Sequence, residues 1–194
     1  MNQKNQNLYL VVLVEDNFNM KKYFKNFDLG NFWSDDEYAK HYQSPPVTNE
    51  LIKAVENKLG FKLPDSYIEL MKTSNGGIPN KRYFPTKEET TWGDKIQIEG
   101  IFGIGVDGSS YSLCGDNSNQ FWIDEWGYPN FGVYICDTPS AGHDLIMLDY
   151  RKCGREGEPE VAHIDQERNY KITTIAQDFE TFLRGLTDEI EIIL

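Results

Sequence analysis

The chain has 194 residues, enough for one domain with a full core and no need of disulfides or a structural metal. It carries 19 Lys and Arg against 31 Asp and Glu, a formal net charge of −12. A field of that sign repels phosphate backbones and anionic lipid, so it argues against nucleic-acid and membrane partners and favours a basic one. Aromatic residues make up 13%, too many for a disordered acidic segment.

Residues 1–46 read as an N-terminal extension. Leu8–Val14 is its longest apolar run, too short to cross a bilayer. Glu15 and Asp16 follow it and no small-x-small cleavage site appears, so it reads as a strand, not a leader. Phe18, Tyr23, Phe24, Phe27, Phe32 and Trp33 come next among charges, and Pro45-Pro46 closes the section as a stiff extended hinge.

A helical hairpin is expected after the hinge. Thr48 can cap a helix running to Leu59, with Leu51, Ile52, Val55 and Leu59 on one stripe and Gly60 as a left-handed stop. A second helix opens at Pro64, places Tyr67, Leu70 and Met71 on one face and ends at Asn75-Gly76-Gly77. Residues 78–170 read as strands and turns. Ile96 and Ile98 alternate with polar neighbours, and Ile101–Gly105 continues as a strand bent at its glycines. Phe131–Asp137, Leu145–Tyr150 and Val161–Ile164 are compact apolar runs, hence buried strands. A last helix is expected over Ile175–Leu186, with Thr174 and Gln177 as a capping box. The tail, residues 188–194, alternates like an edge strand that could pair with Leu8–Val14 or with a second copy of the chain.

Few residues look catalytic. No nucleophile elbow, phosphate loop ending in Lys-Ser/Thr or His-Glu-x-x-His helix is present. Ser140-Ala-Gly-His143-Asp144 invites comparison with a hydrolase. Adjacent residues of an extended segment point to opposite sides, however, which suits a turn better than a triad. His143, Asp144, Asp149, His163 and Asp165 match no zinc or calcium spacing, so no metal is expected, and His163 reads as a hydrogen-bonded, half-buried residue. Cys114, Cys136 and Cys153 are odd in number and widely spaced, which is no disulfide framework and makes the cytoplasm the expected location. Phe121–Asn130 is acidic and aromatic, with Trp122, Asp124, Glu125, Trp126 and Tyr128. It reads as a loop whose rings either anchor a partner or cap the core, and at least one tryptophan is expected to serve the core. Phe32–Tyr38 invites the same two readings.

Several of these features resemble the SUKH superfamily, which includes yeast cell-wall-synthesis regulators and bacterial toxin-immunity proteins. They are Leu63-Pro64-x-x-Tyr67 with Asn75-Gly76-Gly77, then Ile101-Phe-Gly-Ile-Gly105, Trp126-Gly-Tyr-Pro129, Ile135-Cys-Asp137, Ser140–Asp144, Leu148-Asp-Tyr150, Gly157-Glu-Pro159 and Phe179-x-x-Phe182-Leu183. The resemblance covers residues 47–187. It implies an α+β fold: a mixed, strongly curved β-sheet with the helical hairpin and the C-terminal helix packed on one side. It implies no cofactor, and for bacterial members it implies neutralisation of a toxin, often a nuclease, by direct binding.

The expectation is therefore a non-catalytic immunity protein with a basic cognate toxin as partner. Asp107, Asp124, Glu125, Trp126, Asp137 and Asp144 are the candidate contact or contact-supporting residues. The alternatives are a regulatory interaction protein and a small hydrolase or metal-dependent enzyme built on His143 and Asp144.

Overall fold

The computed structural model describes residues 23–106 and 111–189. Leu8–Val14, Asp107 and the tail beyond Glu189 lie outside them, and with them the expected edge pairing.

The helical hairpin forms where the spacing puts it. Helix α1 spans Asn49–Leu59. The Thr48 side chain accepts from the Leu51 N–H at its start, and Gly60 ends it at φ 74°. Helix α2 spans Asp65–Thr73, with Pro64 as its N-cap residue. Tyr67, Leu70 and Met71 are buried, and the Tyr67 hydroxyl donates to the Phe102 carbonyl.

Asn75-Gly76-Gly77 does more than stop this helix. The Asn75 amide donates to the carbonyls of Pro45 (2.5 Å) and Ile104 (2.9 Å), and its oxygen accepts from the Ile104 N–H at 2.7 Å. Gly76 sits at φ 93°, and a Cβ there would lie 2.1 Å from the Tyr42 carbonyl oxygen and 2.8 Å from the Gly103 nitrogen. Three chain segments cross at this point, and only a hydrogen fits between them.

Two antiparallel sheets follow. Strands β1 (Tyr83–Thr90) and β2 (Gly93–Gln97) form a hairpin whose tip is Thr91-Trp92. Helix α3 spans Asn119–Trp126. Strands β3 (Gly132–Cys136), β4 (Asp144–Asp149), β5 (Glu160–Asp165) and β6 (Lys171–Ala176) make the larger sheet, in sequential order. Helix α4, Phe179–Arg184, is the last regular element among the described residues, and Thr187 bridges back to Tyr83.

The α+β class and the buried central strands agree with the sequence, but four expectations are corrected. The sheets are antiparallel and neither is strongly curled, where a mixed, strongly curved sheet was expected. Short links join consecutive strands of the larger sheet, and a parallel neighbour would need a long crossover. Ile101–Gly105 makes isolated bridges to Gly77, Ser112 and Cys136 instead of a strand. Its close approaches to Asn75 and Ser44 at Gly103 interrupt the ladder. Ile175 lies within β6, which runs to Ala176, and the last helix is capped two residues further on by Asp178, whose side chain accepts from the Thr181 N–H at 2.7 Å. The β-branched run Ile172–Ile175 favours an extended chain, and the free edge of β5 pairs with it. Finally, Phe121–Asn130 is not one loop: most of it is helix α3, closed by Gly127 at φ 72°.

Strands β3, β4 and β5 of the larger sheet are buried on both faces, and the edge strand β6 is partly exposed. Val133, Ile135, Ile146, Leu148 and Val161 face the main core with Val55, Tyr67, Leu70, Phe179 and Phe182 of α1, α2 and α4. Tyr134, Leu145, Met147, Ala162 and Ile164 face the other way, against Trp122 and Tyr128. This is why its strands read as continuous apolar runs with little alternation. Residues 23–46 join the same main core through Phe24, Phe32, Ala39 and Tyr42.

Candidate functional site

One end of the larger sheet gathers most of the chemistry-bearing side chains. There β3 passes to β4 and β5 passes to β6. Two further elements reach the same end. The C-terminal turn of α3 sets the Trp126 ring against His143 at 5.8 Å between centroids, and its Trp126 carbonyl accepts from the Tyr170 hydroxyl. The β1–β2 tip docks on β5: the Thr91 N–H and hydroxyl donate to Asp165 at 3.0 and 3.1 Å. Arg168 donates to the carbonyls of Glu89 and Thr90, so the tip is held from both sides.

The β3–β4 connection turns sharply at Ala141 (φ 58°) and Gly142 (φ 99°). A Cβ on Gly142 would stand 2.6 Å from the Trp122 ring, and the Tyr128 hydroxyl donates to the Gly142 carbonyl at 2.6 Å. The loop is thus clamped under α3. Beyond it, His143 and Asp144 do point apart. His143 is half-exposed, with Nδ1 2.6 Å from Glu167 and 3.1 Å from Gln166. Asp144 is 2% exposed and turns inward.

Asp144 faces the main-core side of β4 with Ile146 and Leu148, and His163 faces the same side of β5 with Val161. Asp144 pairs in register with Asp165, so His163 is its diagonal neighbour, and His163 Nε2 lies 2.7 Å from Asp144 Oδ2. The Thr138 hydroxyl donates to Asp144 Oδ1 at 2.6 Å, and Ser140 Oγ accepts from the Asp144 N–H at 3.0 Å. With its proton on Thr138 (2.7 Å), Ser140 gives a chain in which every hydroxyl donates toward one carboxylate. Neither His143 nor His163 makes a hydrogen bond to Ser140, so the serine, histidine and aspartate do not form a nucleophile–base–acid line. No three His, Cys, Asp or Glu side chains among the described residues converge as metal ligands. Cys114 and Cys136 are buried, which pushes the Cys114 thiol up to about 11 and raises Cys136 as well; neither is an activated thiolate.

The candidate contact residues separate into two groups. Asp124 and Glu125 are exposed on α3, with the Gln120 amide donating to Asp124 at 2.8 Å, and Trp126 is half-buried beside them. Asp137 and Asp144 lie at the two ends of the β3–β4 connection and point into the protein. Asp137 accepts from the Tyr42 hydroxyl at 2.8 Å and the Gly100 N–H at 3.1 Å. Burial outweighs those two donors and pushes its carboxyl up to about 7. One residue had drawn no attention in the sequence: Trp92, 48% exposed at the β1–β2 tip. Its signal was present in Thr90-Thr91-Trp92-Gly93, a turn sequence with a bulky ring that a turn does not need.

A family comparison bears on these elements. Residues 46–185 match the SMI1/KNR4 family (SUKH-1) model, well over half of the chain. The chain belongs to the SUKH-1 family. A search of curated proteins returns no match. The family's members include immunity proteins and cell-wall regulators. The matched span of this SUKH-1 chain contains the Asn75 clamp, both sheets, α3 and the gathered end of the larger sheet. No helix among its described residues is long and apolar enough to cross a membrane.

Proposed function

We propose that this SUKH-1 chain is a non-catalytic, cytoplasmic immunity protein that neutralises a basic cognate toxin, of the nuclease kind, by covering its surface. The observation that carries this reading is one end of a rigid sheet that offers exposed acid and exposed aromatic surface together. Asp124 and Glu125 stand on α3, and Trp92 stands on the docked hairpin tip. Nucleases must attract an anionic substrate and so present cationic faces. A protein of net charge −12 is steered toward such a face, and aromatic anchors hold it there. Asp137 and Asp144 fit the role of supports, fixing the β3–β4 connection from beneath.

The test is to express whatever toxin domain the neighbouring reading frames encode and to measure its association kinetics with this chain. Reversing both charges in Asp124→Lys/Glu125→Lys is expected to slow association about tenfold at low salt and flatten its salt dependence. An unchanged rate and an unchanged salt slope would remove α3 from the contact surface.

A further inference from the structure

Four carboxylates among the described residues are buried: Glu69, Asp144, Asp149 and Asp165. Burying a carboxylate is costly unless a cation accompanies it. Glu69 has Lys72 at 2.7 Å, Asp149 has Arg151 at 2.6 Å and Asp165 has Arg168 at 3.9 Å. Among the described residues Asp144 has no lysine or arginine partner, and its side chain meets the Thr138 hydroxyl and the His163 imidazole, which is a cation only when protonated. Asp137 has none either, but it is met inside the protein by the Tyr42 hydroxyl and the Gly100 N–H. A carboxylate has about four lone-pair directions, so two donors leave it room to accept more.

Beside Asp144 lies an open recess of about 250 Å³. Trp92, Gln97, Thr138, Pro139, Ser140 and Asp144 line it. Trp92 has little reason to be there for stability. Its ring is half-exposed, while the tip that carries it is fixed by Asp165, by Arg168 and by the Trp92 N–H donating to Thr90 at 3.1 Å. The recess therefore joins an aromatic face on a preorganised arm to a carboxylate with no lysine or arginine partner among the described residues.

We propose that this recess is a socket for an arginine side chain of the protein partner, with the guanidinium lying against Trp92 and directed toward Asp144. A planar guanidinium suits both contacts, since it stacks on an indole face and donates in pairs to a carboxylate. The Thr138–Ser140 hydroxyl chain and His163 then act as positioning groups that hold the carboxylate in the recess wall. The socket deepens the binding-protein reading and rests on it for its biological occupant. Its chemistry is tested without that occupant, so loss of the toxin reading and loss of the socket are separate results.

The experiment titrates the full chain with N-acetyl-arginine methylamide and follows amide and indole N–H resonances by NMR. N-acetyl-citrulline methylamide, the neutral isostere, is the control. Arginine is expected to shift the Trp92 indole and the Thr138 and Ser140 amides saturably, with a dissociation constant on the order of millimolar, as a single side chain warrants. Citrulline is expected to shift none of them. Trp92→Leu, at an exposed tip, should weaken binding roughly three- to tenfold with the fold intact. Asp144→Asn should weaken it at least about tenfold, its fold being checked by thermal melting. The proposal is overturned by no saturable shift, by citrulline binding as well as arginine, or by unchanged affinity in Trp92→Leu.

Discussion

Asp137 shows how one side chain ties acidity to stability. Its carboxyl is held near 7 in the folded protein against 3.8 for an unperturbed group, because burial penalises the charge more than Tyr42 and Gly100 stabilise it. Between about pH 4 and pH 7 the unfolded chain gives up this proton while the folded chain keeps it. Rising pH therefore favours unfolding across that window, and the contribution levels off above it. Asp137→Asn keeps an acceptor for one of the two donors and removes the titration. Its stability measured by urea unfolding should lack up to about 1.4 kcal/mol per pH unit of the wild-type decline. Parallel pH profiles for the two proteins would show that Asp137 is ionised in the folded state throughout.

At the scale of elements, the C-terminal helix gives the sharpest contrast between pattern and structure. Thr174 with Gln177 has the letters of a capping box, yet both precede the helix, and the cap is Asp178. Asp178→Ala should cost about 1 kcal/mol in melting experiments, and Thr174→Ala should leave the helix cap untouched. A reversed ranking would put the helix start back on Thr174. The apolar periodicity of Phe179, Phe182, Leu183 and Leu186 was legible because it depends on local spacing alone. The boundary was not, because Ile175 answers to the edge of β5, which no local window contains. The same division holds at the candidate site. Asp124, Glu125 and Trp126 announce themselves as neighbours in the chain, although their helix was hidden by glycine and proline next to them. Asp144 and His163 are 19 residues apart, and only the register of β4 with β5 brings them together. Trp92 joins them through a hairpin docked by Thr91 on Asp165, 74 residues away. Contacts of that span follow from topology, which the short apolar runs constrain only loosely.

For the molecule as a whole, the boundary of the family match and the boundary of the core do not coincide. The match begins at residue 46, yet Phe24, Phe32, Ala39 and Tyr42 are all within the main core. Tyr42 is fully buried, stacks on Tyr111 at 4.2 Å between centroids and supplies a hydrogen bond to Asp137. Gly100 is shaped to it, since a Cβ there would fall 2.3 Å from the Tyr42 ring. The Phe24 N–H donates to Glu180 at 2.9 Å and Arg184 donates to the Lys25 carbonyl at 2.9 Å, so the same section also grips α4. Emptying the site of one buried aromatic ring costs about 3–5 kcal/mol, and a domain of this kind has about 5–15 kcal/mol in all. A chain that begins at residue 45 loses three such rings, Phe24, Phe32 and Tyr42, the last of them the partner of Asp137. It is expected to be largely unfolded at 25 °C, whereas the full chain unfolds cooperatively in urea. Circular dichroism and tryptophan fluorescence across a urea titration measure this directly. A shortened chain with the full-length midpoint would make residues 23–44 an appendage to the domain, and the burial of Tyr42 would then contribute nothing to its stability.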